Sequence, residues 1–188
     1  RRVVMRGEYA HALYDIDGGL TSVSEDASDA ISLSIESPPF ESLLLMDKSA
    51  DIVVGARYER IDTFFQSLAN EGLASDRDAL VAYASLYWGA LSGNLQILHE
   101  TNNVDNLESA PTDRLRNASL NLSYSFDPQT GSQSWLGTPY LKFSSFVADL
   151  DRMDTPDGYT GFDTNSVSDS ITFGGGSNYT NWYWSASH

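Results

Sequence analysis

The sequence contains no cysteine. That rules out disulfide staples, thiolate metal ligands and a cysteine nucleophile. Basic residues are also scarce: Lys+Arg number 11 against 26 Asp+Glu, for a formal net charge of −15. They are nowhere clustered, and phosphate recognition needs clustered cations, which argues against nucleic acid as a partner. No apolar run approaches the length of a transmembrane helix. A crossing by β-strands needs only alternation and is untouched by that absence. No Pro/Gly/Ser-rich linker divides the 188 residues, so residues 1–188 read as one β domain. The chain opens on Arg1-Arg2-Val3-Val4, already strand-like, and stops at Ser187-His188 directly after a strand pattern. The expectation is a mature or partial chain that belongs to a longer product.

What is present is alternation with period two, the signature of half-buried strands. From Arg116 to Phe126, one face carries Ala118, Leu120, Leu122, Tyr124 and Phe126, and the other carries Asn117, Ser119, Asn121, Ser123 and Ser125. Ile31, Leu33 and Ile35 alternate with Ser32, Ser34 and Glu36 in the same way. This predicts an all-β, antiparallel, up-and-down meander of about nine strands, barrel-like, over 3–14, 30–36, 51–63, 79–88, 91–100, 115–126, 139–150, 167–174 and 179–187. Two short helices are expected in connections, at 41–47 and 64–74, where Leu43-Leu44-Leu45 and Phe64, Phe65, Leu68 break the alternation.

The connections alternate in length. Residues 15–29, 64–78, 101–114 and 151–166 are long and rich in Asp, Asn, Ser and Gly. Shorter links lie near Gly89-Ala90, over 127–138, and at the Gly174-Gly175-Gly176-Ser177-Asn178 turn; 37–50 is intermediate. In a meander, successive connections fall at opposite ends of the sheet, so one end collects long acidic loops and the other tight turns.

Long loops at one end, short turns at the other, and strands of about ten residues resemble a bacterial outer-membrane β-barrel. The resemblance is most specific from Glu100-Thr101-Asn102-Asn103-Val104-Asp105-Asn106 to Leu120-Asn121-Leu122-Ser123-Tyr124-Ser125, and from Asp154-Thr155-Pro156-Asp157-Gly158 to Asn181-Trp182-Tyr183-Trp184-Ser185. These stretches are similar to segments of large uncharacterised Gram-negative barrels. The resemblance implies a fold, an outer-membrane location and a lipid bilayer or other envelope components as partners. It carries no catalytic residues. His188 stands where such barrels commonly end in an aromatic residue, and nine strands is odd where single-chain barrels are usually even.

Arg6 and Glu8 are two apart, as are Arg57 and Glu59, so each pair shares a face. These four are expected to face a wet lumen if the sheet is a barrel, or solvent if it is a soluble sheet. Tyr87, Trp88, Phe126, Trp135, Tyr140, Trp182 and Trp184 sit at predicted strand ends, where interface aromatics of a membrane barrel stand; they would equally cap the core of a sandwich.

Acidic loops hold the only concentrated polar chemistry. Asp15-Ile16-Asp17-Gly18-Gly19 begins like a calcium loop but reaches Asp26, not Glu, at the twelfth position. With Asp151 and Asp154 it makes calcium the one metal weighed, as weak, salt-sensitive binding; no other cofactor is expected. His11, His99 and His188 have no partner at metal-ligand spacing, and hydrolase, zincin and P-loop motifs are absent. Asn117-Ala118-Ser119, Asn121-Leu122-Ser123 and Asn178-Tyr179-Thr180 fit the glycosylation pattern, but two of the three fall in a predicted strand.

The expectation is therefore a non-enzymatic outer-membrane barrel, or a segment of one, acting as a pore or export channel, with a homo-oligomer among its expected associations. The alternative is a secreted, soluble β-sandwich or solenoid that binds carbohydrate or assembles into a surface layer or filament.

Overall fold

The computed structural model describes residues 2–14, 26–45, 48–65, 75–128, 135–177 and 182–188. The strands are β1 (Val4–Tyr14), β2 (Asp26–Glu36), β3 (Phe40–Leu45), β4 (Lys48–Ile61), β5 (Arg77–Trp88), β6 (Leu91–Thr101), β7 (Thr112–Ser125), β8 (Tyr140–Asp154), β9 (Asp163–Ser177) and β10 (Trp182–Ser187). All pairings are antiparallel, in one meander ordered β1-β2-β4-β5-β6-β7-β8-β9-β10. The predicted all-β meander of nine strands is the fold; among the described residues, the only helix is a single turn at 135–136.

Residues 40–45 are strand, not the expected helix. β2 pairs with the upper half of β4, from Ala30↔Ile61 to Glu36↔Gly55. After Ser37-Pro38-Pro39, β3 pairs with the lower half of β4, from Phe40↔Ile52 to Leu45↔Lys48. β2 and β3 are thus one path along β4, interrupted where two prolines cannot donate to the ladder. Leu43-Leu44-Leu45 carries no period because its register shifts between Phe40 and Leu43. Of the second expected helix, Phe64 lies in a turn shared with Thr63, Phe65 is in irregular chain, and 66–74 falls outside the described residues.

The sheet is open, so the expected barrel-like form is met only loosely. With nine strands in the meander, β1 and β10 run in the same direction, so they cannot close antiparallel. The strands are nonetheless staggered. The hydrogen-bonded row that starts at Val4, the lower end of β1, crosses Glu36, Gly55, Tyr83, Gln96, Ser119 and Phe146 to reach Ser168 in the middle of β9. Such a shear tilts the strands against the line joining their ends, as curved and closed sheets require.

Among the described residues no second layer packs on either face; Phe65 lies against the polar face at Ile61, where burial is local. The chain exposes 12979 Å², whereas a compact chain of its mass exposes about 8,900 Å². Among the described residues the buried apolar side chains are Ala50, Ile61, Phe65 and Ala79. This is a single layer with no second sheet packed on it.

Candidate functional site

Residues paired directly across strands share a face, so the registers sort every described strand position. One face is apolar. It carries Met5, Tyr9 and Leu13 on β1, Ile31, Leu33 and Ile35 on β2, Val54 and Ala56 on β4, Leu80 to Leu86 at alternate positions on β5, Leu95 and Ile97 on β6, Ala118, Leu120 and Leu122 on β7, Phe143 and Val147 on β8, and Val167 and Ile171 on β9. Many stand open: Leu33 is 51% exposed, Ile97 50% and Ile171 52%. Asp169 is the charged exception, on β9 above the stretch that β10 covers.

Aromatic rings finish this face at the lower end, the end of the short links. Tyr124, Phe126, Phe173 and Trp184 form an edge-to-face chain with centroids 4.8, 6.5 and 5.1 Å apart. Trp184 Nε1 donates to the Leu136 carbonyl at 3.3 Å, tying this row to the link between β7 and β8. Trp88 and Trp182 lie on the same face at the same end, and Trp135 is exposed in that link. Tyr87 and Tyr140 are also at this end, but on the opposite face.

A charged row finishes the upper end. Asp29 accepts from Tyr9 at 2.8 Å and contacts His11 Nδ1 at 2.7 Å. Arg114 forks onto Asp151 with bonds of 3.0 and 2.5 Å, and Arg116 stands opposite Asp149.

The other face is polar, and it divides into two sectors. Over β1, β2, β4 and β5 it is charged. The four residues singled out by spacing stand here together: Arg6–Ser34–Arg57 form one row and Glu8–Ser32–Glu59 the next. Glu59 is 9% exposed and is held between Arg57 at 2.5 Å and Arg77 at 3.3 Å. Arg77 reaches on to Glu100 at 2.9 Å, and Tyr83 donates to Glu36 at 2.7 Å. A hollow of about 730 Å³ opens beside this chain, bordered by Glu8, Arg57, Glu59, Ile61 and Phe65.

Over β6 to β9 the lower and middle polar face carries one charge, Lys142; Glu100 and the Arg152–Asp113 pair stand at its upper end, and Phe146, Ala148 and Leu150 are apolar positions on β8. Ser92, Asn94 and Gln96 continue into Asn117, Ser119, Asn121 and Ser123, then Ser144, then Thr164 to Thr172 at alternate positions. A hollow of about 270 Å³ lies between β5 and β8, where Asn94 Nδ2 donates to Ser85 at 3.2 Å and Ser144 donates to Asn121 Oδ1 at 2.7 Å.

The described parts of the long connections at 62–76 and 102–111 use polar groups on themselves. Asn103, 4% exposed with φ of 53°, accepts from the Leu107 amide at 2.7 Å. Its Nδ2 donates to Leu107 O, Ala110 O and Thr112 Oγ1. Asp76 Oδ1 accepts from Val104 N and Thr63 Oγ1 at 2.9 and 2.8 Å, locking two loops together. Asp15 and Asp17 fall outside the described residues. Asp151 is committed to Arg114, and Asp154 lies exposed beyond the β7–β8 bulge. Among the described residues, no three His, Asp or Glu side chains come together as a metal cage.

Arg77, Tyr83 and Asn94 were not singled out from the sequence, whereas Asn121 was placed on the polar face by its alternation. A signal existed: the two-residue turn at Gly89, with φ of 58°, makes Trp88 face Leu91. Every pair above it follows, including Ala79 opposite Glu100. Comparison with known protein families, curated proteins and solved structures finds no match to this chain.

Proposed function

We propose that this chain forms wall of a bacterial outer-membrane β-barrel, a non-enzymatic pore or export channel, with its apolar face toward lipid and its polar face toward the interior. One observation carries the reading: a single uncovered layer whose faces differ in kind. In water such an apolar face would need a second layer; against lipid it needs none. The aromatic row at one end and the ionic row at the other suit two interfaces bounding a hydrocarbon zone. The unpaired edges at β1 and β9–β10 support further strands completing the wall, because an open edge is not tolerated in hydrocarbon. In this reading Arg6, Glu8, Arg57 and Glu59 line the interior, and transport is passive, set by the lining.

The test is reconstitution into vesicles with brominated acyl chains. Trp88 and Trp184 fluorescence should be quenched, and the strand dichroism should need detergent or lipid to persist. A monomer that stays folded and dispersed in plain buffer would defeat the proposal.

A further inference from the structure

We propose that the polar face holds a binding site for a neutral oligosaccharide, in the hollow between β5 and β8. The proposal rests on the polar face lining a passage, and it names what that passage would retain.

The floor of the hollow is bare main chain at Gly93, Leu122 and Phe143, whose side chains belong to the other face. Around it stand hydroxyls and amides. Asn94, Asn121 and Ser144 lie side by side on three neighbouring strands, with a spacing of roughly 4.8 Å per strand. Asn94 spends one amide N–H on Ser85, which leaves its carbonyl and second N–H for a ligand. Asn121 accepts from Ser144 and keeps its whole amide NH2. Donors and acceptors therefore alternate along a short line, as adjacent sugar hydroxyls require. The Tyr87 ring borders the hollow and is 60% exposed, giving the apolar C–H side of a pyranose a flat surface.

The charge census selects the class. Lys142 is the one charged residue lining the hollow, and its ammonium sits 5.0 Å from the Tyr140 ring centroid. No carboxylate is present to pair a cationic ligand. The hollow beside Glu8, Arg57 and Glu59 is the opposite case, built of full charges already paired to one another. A cationic solute entering this hollow would shed water without matching countercharge, and an anionic one would meet only Lys142, whose ammonium already stands over the Tyr140 ring. An uncharged polyol would exchange water for equivalent hydrogen bonds.

The experiment titrates the chain, folded in detergent micelles, with maltotriose, reading side-chain amide shifts by NMR. Saturable shifts at Asn94 and Asn121 are expected, with trigalacturonate binding more weakly. Asn121→Leu and, as a gentler change, Ser144→Ala should each weaken maltotriose by up to about tenfold. Ser166→Ala, on the same face outside the hollow, should leave affinity unchanged. Absence of saturable shifts in a sample with intact strand dichroism would overturn the site. So would parental affinity in both hollow variants. Trigalacturonate binding tighter than maltotriose, and lost in Lys142→Gln, would overturn the neutral class and assign an acidic ligand instead. Unchanged shifts in a sample that needs no detergent would keep the site and defeat the pore reading.

Discussion

The two faces of the sheet share one backbone and one set of hydrogen bonds, yet they obey different rules. The apolar face is uniform along its middle and ordered at its margins. Branched aliphatics cross every long strand, aromatic rings close the lower end, and ion pairs close the upper. The polar face is ordered the other way. Through its middle and lower rows its chemistry changes sideways, from charges over β1, β2 and β4 to amides and hydroxyls over β6, β7 and β9, while Phe146, Ala148 and Leu150 interrupt it on β8 and Glu100 and the Arg152–Asp113 pair stand at its upper end. A face that varies with height answers to an environment that varies with height, as a bilayer does. A face that varies around the sheet answers to what touches one sector and not another.

The sharpest way to break this contrast is to place one cation on each face at neighbouring residues. Leu120 lies mid-height on the apolar face and Asn121 on the polar one. Leu120→Arg should cost about 2–4 kcal/mol of stability in lipid, the value for Arg near the midplane of a barrel's outer surface. Asn121→Arg should cost far less. Urea unfolding in lipid vesicles reads both, and equal losses would erase the distinction between the faces.

Much of this was legible in the residues. The alternation at 116–126 placed Leu120 and Asn121 on opposite faces, and the two-residue spacings placed Arg6 with Glu8 and Arg57 with Glu59. What sequence missed has a physical cause. Strands β2, β7, β8 and β9 begin or end about four residues beyond their predicted limits, with Asp26–Asp29, Thr112–Arg114, Asp151–Asp154 and Asp163–Ser166. There the sheet rises past the apolar band, neither face needs an apolar residue, and the period of two disappears. Those segments had been counted as loop, and the acids expected there to lie free in loops partly sit in paired rows. The charged chain through Arg77 escaped notice because it joins three strands, and register across β4 and β5 is not written locally.

A second test separates space from polarity. Gly55 lies on the polar face, and the Tyr83 ring of the neighbouring strand occupies the room a side chain would need. Tyr140 covers Gly174 in the same manner, an arrangement in which an aromatic shields a strand glycine. Gly55→Val should therefore cost about 1–3 kcal/mol by overpacking, although the face tolerates polar exchange freely. Adding Tyr83→Ala should recover part of that loss; if the double variant is worse than the sum, the ring is not what the valine meets.

A third concerns the upper loops, which belong to neither face. Asn103→Ala removes the side chain that closes 102–111 and leaves buried main-chain groups unpaired, for about 1–2 kcal/mol. The change should be local. Hydrogen exchange should quicken over 102–111 while β6 and β7 keep their protection. Loss of protection along both strands would mean that the loop supports the sheet, not the reverse.

The smallest effect should divide the polar face itself. Arg77 bridges Glu59 and Glu100 at 30% side-chain exposure, in the charged sector. Arg77→Gln leaves Glu59 its bond to Arg57 but strips Glu100 of its partner. The loss should be about 1 kcal/mol, because half-exposed pairs are screened and partly re-solvated. It should also shrink as salt rises, since counterions already weaken the pair in the parent chain. Asn117→Ala, in the neutral sector, involves no charge and should show no such dependence. Thermal melts of both variants at low and high salt decide the matter. A salt-dependent loss at Arg77 alone would mark the boundary between the sectors, and matching responses at both positions would mean the sideways division of this face has no energetic content.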